Sequence, residues 1–160
     1  DPEVIRHLYD AAHKGVKIDL IVRGICCLKP GAAARNIRIV SIVDRYLEHA
    51  RIFYFKNAGT PEYFLSSADW MLRNLDRRIE LLFPIRDSGL RARLDRLLEI
   101  QLEDDDKARH MMANGTYTRP AGDRHTPLRS QARTYEWMKK LSQGDAANDG
   151  LLSVCKQHGA

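Results

Sequence analysis

Apolar residues recur every three or four positions at the start of the chain. Val4, Ile5, Leu8, Tyr9 and Ala12 share one helical face, and Gly15 ends that helix. The period then changes. Residues 16–22 (Val-Lys-Ile-Asp-Leu-Ile-Val) alternate and then become continuously apolar, as a buried strand does, before closing on Arg23-Gly24. Pro30-Gly31 marks a loop. Residues 36–43 predict a second strand, turning helical at its end, and residues 51–55, rich in aromatic and β-branched side chains, a third. Residues 57–61 read as a turn, 62–66 as a fourth strand and 78–84 as a fifth. Leu90, Leu94, Leu97, Leu98 and Leu102 then define an amphipathic helix. The polar stretch 114–128 predicts a surface loop. Residues 131–141 predict a last helix, with Tyr135, Trp137 and Met138 available for docking. A helix, a strand cluster and further helices in this order imply the α/β class, a mixed-sheet layered sandwich. One domain is expected over residues 1–141, and a loosely ordered polar tail over 142–160.

Composition changes this picture little. Apolar residues are 44% of 160, enough for one ordinary core. The formal net charge of +5 suits an anionic partner such as a nucleotide, a phosphate polymer, nucleic acid or an anionic membrane; the plainer alternative is a basic surface with no specific partner. Cys26, Cys27 and Cys155 are odd in number and two are adjacent, so a disulfide framework is not expected and a reducing cytosol is. No Cys-x-x-Cys spacing suggests zinc. No apolar run is long enough to span a bilayer, and no signal peptide opens the sequence. Residue 1 falls inside the first predicted helix, which implies a piece of a longer protein.

The chemistry concentrates in two segments. Asp44-Arg45-Tyr46-Leu47-Glu48-His49-Ala50-Arg51 sets arginines around a histidine. Ser66-Ser67-Ala68-Asp69 leads to Arg73, Arg77 and Arg78. Guanidinium forks, hydroxyl donors and an imidazole together suit phosphate. Arg23 leaves a buried strand at its carboxyl end, where open α/β sheets bind ligands. It either enters a crevice to hold phosphate or pairs with an acid such as Asp19 or Asp44. His49 is read as a functional histidine. His7, His13, His110, His125 and His158 are read as surface or packing residues. Ser67 sits in a turn of small residues that lets backbone donors approach an anion; the alternative there is an ordinary Asx-capped turn. Arg77 and Arg78 would face opposite ways on a strand, with Glu80 beside Arg78 to orient it. Asp104-Asp105-Asp106 is expected to be a solvated loop, since three consecutive acids do not converge on one ion. Cys26 and Cys27 are read as packing residues.

Longer stretches carry a resemblance. Residues 20–26, Asn36-Ile37-Arg38, residues 41–52 and residues 65–80 closely resemble the C-terminal catalytic domain of the bacterial polyphosphate kinase family, over about residues 1–141. The resemblance implies a phospholipase D-like fold. It implies reversible transfer of the γ-phosphate of ATP to inorganic polyphosphate, giving ADP, through a phosphohistidine carried by an upstream domain. It maps the family's second essential histidine to His49 and its phosphate-binding arginines to Arg23 and Arg78. These three are expected to converge in one crevice with Ser67 on its wall. Mg2+ is the implied cofactor, with ligands upstream and no metal ligand in this chain. The implied partners are ATP or ADP, polyphosphate and the upstream domains, with a homo-oligomer for the full-length protein and no nucleic acid. The implied location is cytoplasmic, with the membrane periphery as a variant.

Departures from phospholipase D itself are also visible. His49-Ala50-Arg51 has arginine for the usual lysine, and Lys56 stands where an acid belongs. Ser66-Ser67-Ala68-Asp69 has serine for glycine and aspartate for asparagine. They weigh against the rival reading of a phospholipase D-like phosphodiesterase or nuclease completed by dimerisation. A second rival is a non-catalytic module that binds polyanions.

Overall fold

The structure, a computed structural model, describes residues 1–31, 35–119 and 126–143. Helix α1 (Pro2–His13) starts where the Asp1 carboxylate accepts the Val4 N–H at 3.0 Å, with a proline in its first turn. Gly15, at φ +90°, takes the left-handed conformation that follows the helix. Strands β1 (Ile18–Ile21) and β2 (Ile37–Ile42) pair in parallel. β3 (Ile52–Phe55) and β4 (Glu62–Ser66) pair antiparallel, and β4 also pairs with β5 (Leu82–Pro84). Helix α2 (Leu72–Arg77) lies between β4 and β5, and α3 (Ser88–Leu102) follows. Then come β6 (Ala108–Met111), β7 (Tyr117–Thr118) and α4 (Ser130–Ser142).

The strands form two sheets. One runs β1-β2-β6-β7, with only the first pair parallel, and the other runs β3-β4-β5. The expected mixed α/β class therefore holds. β2 is central and nearly wholly buried because the two-residue period of a strand serves two cores. Ile37 and Ile39 join Ala12, Leu28 and Met111, with Ile5, Leu8 and Tyr9 of α1 packed against them. Val40 and Ile42 join Ala108, with Ile21 and Leu102 alongside.

Three local expectations are corrected. The fifth strand starts at Leu82, so Arg78 lies on extended chain at the end of α2 and strand alternation does not govern it. The loop expected from residue 114 contains β7, and β6 precedes it; residues 120–125 of that loop lie outside the described residues. The acidic triplet is not solvated throughout. Asp104 is 2% exposed, and its carboxylate accepts backbone N–H groups from Asp106, Lys107, Ala108 and Ser130 at 3.1, 2.6, 2.9 and 2.7 Å. It thereby ties the end of α3 to the start of β6 and α4. The tail beyond residue 143 lies outside the described residues. No helix among the described residues is long and apolar enough to cross a membrane.

Candidate active site

Arg23 stands just past β1. The Val22 N–H still donates to the Val40 carbonyl at 2.8 Å, so the chain leaves the sheet only at Arg23, at the carboxyl end of a parallel pair. Its guanidinium splits its donors. Nη1 donates to the Glu48 carbonyl at 2.9 Å, and Nη2 reaches both Asp69 oxygens at 3.3 and 3.2 Å. Arg23 is therefore paired with an acid, but with neither Asp19 nor Asp44. Asp19 holds Arg38 and Asp44 holds Arg129.

Asp69 follows β4 and takes a second guanidinium. Arg51, on the residue before β3, donates from Nε at 2.8 Å and from Nη2 at 3.2 Å in a fork-to-fork pair. The hydrogen bonds from Arg51, helped by the charge of Arg23, hold the Asp69 carboxyl below the usual carboxylate range against the opposing effect of burial. The Arg51 guanidinium is in turn held above its ordinary value, chiefly by Asp69. One carboxylate thus fixes two cations that come from either side of the site.

His49 completes this group. Arg51 Nη1 lies 3.2 Å from His49 Nδ1 and 3.4 Å from the His49 carbonyl. A guanidinium only donates, so Nδ1 is the acceptor and the neutral ring carries its proton on Nε2. His49 is exposed, so this Nε2–H is open to a ligand.

Ser67 and Arg78 meet at Glu80. Ser67 Oγ donates to Glu80 Oε2 and accepts the Leu81 N–H at 2.9 Å. Arg78 Nε stands 3.4 Å from Glu80 Oε1, an ion pair without hydrogen-bond alignment, and that buried oxygen accepts no hydrogen bond. The charge of Glu80 also acts on Arg51, which links this pair to the Asp69 group. The structure therefore joins Arg23 to His49 through Asp69 and Arg51, and Ser67 to Arg78 through Glu80. Arg23 and Arg51 share the Asp69 carboxylate, and Arg78 pairs with Glu80. The Ser66 hydroxyl is spent on the turn: it donates to the Leu81 carbonyl at 2.9 Å and accepts the Ala68 N–H at 3.0 Å. Among the described residues, no group of three or more His, Cys, Asp or Glu side chains is placed to hold a metal ion.

The family model described as "Polyphosphate kinase C-terminal domain 2" matches residues 1–131. The chain belongs to the polyphosphate kinase family. It is 49% identical over 142 residues to a polyphosphate kinase of Campylobacter jejuni subsp. doylei, covering 88% of this chain and 20% of the relative. It is 52% identical over 119 residues to that of Thermosynechococcus vestitus, covering 73% of this chain and 16% of the relative. The crystal structure of polyphosphate kinase from Porphyromonas gingivalis superposes with a TM-score of 0.86 at 46% identity, over 90% of this chain and 22% of that one. The chain thus spans about a fifth of the length of these relatives. The likeness bears out the mixed α/β, phospholipase D-like fold expected of a polyphosphate kinase domain.

Proposed function

We propose that this polyphosphate kinase domain supplies the phosphate-handling half of an active site whose other half lies elsewhere in the full-length protein. The whole enzyme moves the γ-phosphate of ATP, by way of a phosphohistidine outside this chain, onto inorganic polyphosphate, leaving ADP. The reaction runs in either direction. Arg23 and Arg78 neutralise the non-bridging oxygens of the phosphoryl group as charge spreads over them in the transition state. His49 presents Nε2–H to the transferring group as a hydrogen-bond donor and steadies its oxygens as charge builds on them. Ser67 fixes Glu80 and so the place of Arg78. Mg2+, which such ATP reactions use, finds no group of three or more His, Cys, Asp or Glu side chains placed to hold it among the described residues. A cytoplasmic setting is part of this reading, since ATP is the donor.

The observation that carries the reading is the shared carboxylate. Asp69 grips Arg23 and Arg51 together, and Arg51 in turn faces His49, so cations and imidazole are organised as one unit. In the full-length protein, given ATP, Mg2+ and a polyphosphate primer, Arg23→Ala is expected to lower kcat by about 10²–10³, the scale of losing one charge-stabilising donor. Unchanged polymer synthesis by a folded Arg23→Ala protein would end the assignment. Hydrolysis of a phosphodiester reporter by the wild type would favour the phosphodiesterase reading instead.

A further inference from the structure

We infer that Gln131, at the start of α4, is a positioning residue for the His49 site, acting through Tyr46 and Glu48. This rests on the reading of His49 and Arg23 given above and extends it to a helix that contributes no group to the phosphate.

The segment leading into His49 is the starting point. Residues 43–50 form neither helix nor strand. Apolar burial does not hold them either, since Val43, Tyr46 and Leu47 are 70%, 63% and 73% exposed. An exposed irregular segment with no packing is ordinarily mobile, yet His49 needs a fixed place. Polar tethers supply it. The Gln131 amide closes a two-way pair with the backbone of Tyr46: Oε1 accepts the Tyr46 N–H at 2.9 Å and Nε2 donates to the Tyr46 carbonyl at 2.7 Å. The same Nε2 donates to Glu48 Oε1 at 2.8 Å. A second amide, that of buried Gln101 on α3, donates to Glu48 Oε2 at 3.0 Å. Upstream, Asp44 takes the Arg129 fork at 2.7 and 2.5 Å. The Glu48 carbonyl, held in this way, receives Arg23 Nη1.

Gln131 is the centre of this strap. Among the described residues, it is the side chain that bonds both the Tyr46 backbone and the Glu48 carboxylate. Its own base is firm, because the neighbouring Ser130 N–H is fixed by buried Asp104. The chemistry asks for glutamine: one side chain has to accept from Tyr46 and donate to both Tyr46 and Glu48. Glutamate would keep the acceptance but set two carboxylates and a carbonyl against each other. Leucine, of similar size, would keep none of the three bonds.

The test uses the full-length protein with ATP, Mg2+ and primer. The variants are Gln131→Leu, Gln131→Glu, Glu48→Gln and the double exchange Glu48→Gln/Gln131→Glu, with His49→Ala alongside. Because a misplacement of about 1 Å costs on the order of 10²-fold, Gln131→Leu is expected to cut kcat by about 10–100-fold with a smaller change in the KM for ATP. Gln131→Glu should fall further. The double exchange lets a glutamine at 48 donate to a glutamate at 131, and should recover about tenfold or more over Gln131→Glu, a coupling read by the double-mutant cycle. A merely structural Gln131 would shift melting temperature without this rescue of kcat. If a Gln131 variant does not fold, Glu48→Gln, which leaves the Tyr46 pair intact, still reports: a fall in kcat below half of wild type supports the strap, and wild-type kcat opposes it. Wild-type kcat in the folded Gln131 variants, or a double exchange no better than Gln131→Glu, overturns the inference. If His49→Ala is also fully active, the reading of the site has failed as well; if His49→Ala alone is impaired, only the role of Gln131 has.

Discussion

Exchanging Asp69 for Asn leaves the shape of the side chain and removes the charge that holds Arg23 and Arg51 together. The wild-type carboxylate takes a forked pair from Arg51 at 2.8 and 3.2 Å and a third donor from Arg23. An asparagine oxygen can accept some of these bonds, but its NH2 group faces a guanidinium that has nothing to accept with. The magnitude follows from exposure. The side chains of Asp69, Arg23 and Arg51 are 27%, 28% and 17% exposed, between a surface pair and a buried one. Exposed pairs contribute about 0–1 kcal/mol, whereas removing one partner of a buried pair costs about 3–5, so a loss near 2 kcal/mol is expected.

The sign of the pH dependence is fixed too. The Asp69 pKa is depressed in the folded chain, chiefly by the Arg51 hydrogen bonds. Its contribution is therefore complete above the unfolded carboxylate value and is lost as pH falls through the lower folded value. Urea denaturation of wild type and Asp69→Asn at a series of pH values is the assay. The gap between the two should be full at pH 7, begin to close in the acid range below about pH 4, and vanish once Asp69 is protonated, since a protonated carboxyl and an amide are both neutral. A gap under about 0.5 kcal/mol at pH 7, within the scatter of ordinary surface substitutions, would refute the clamp. So would a gap that persists undiminished in strong acid.

Two further substitutions test the scaffold. Asp104→Ala strips the acceptor from four backbone N–H groups in a buried place, and should cost about 3–5 kcal/mol by denaturant melt, among the largest single-residue losses in the chain. Tyr63→Phe deletes an O–H that reaches both Asp95 oxygens at 2.6 and 2.7 Å. Burial already pushes the Asp95 carboxyl up, and the tyrosine opposes that rise, so the variant should titrate at higher pH by NMR and lose about 1 kcal/mol.

The elements that were legible in the sequence are those whose own side chains declare them. β4 runs over residues 62–66 as the sequence predicted, because a turn closes one end and small hydroxyl residues the other. α1 ends before Gly15 for the same local reason. α2 was hidden because its six residues carry no buried stripe: Leu72 and Leu75 are exposed, and Asn74 is the residue it buries. β6 and β7 were hidden because their short, mixed sequences read as strand only once β2 offers an edge. The site followed the same division. Residue types marked His49, Arg23, Ser67 and Arg78. That Arg23 would pair with Asp69, 46 residues away, was not readable, since Asp19 and Asp44 lie nearer in sequence. Nor was the engagement of Arg51 with both Asp69 and His49, or the hold of Gln131 on a segment 85 residues upstream. Those are consequences of how two sheets and two helices meet. One signal for Asp69 did exist: it is the acid inside the serine turn that the family resemblance had already singled out.

The central claim is that His49 works on the transferring phosphoryl group, and replacing it in the full-length protein tests this most directly. ATP-dependent polyphosphate synthesis is measured for His49→Ala and His49→Gln, with folding checked by circular dichroism. Exposed His49 adds little to the core, so both variants should fold. The account predicts that His49→Ala loses about 10²–10³ in kcat, the scale of removing one positioned donor to developing charge, and that His49→Gln recovers much of it because its amide also donates. Near-normal synthesis by folded His49→Ala would contradict it and leave the arginines as the domain's whole contribution to the chemistry.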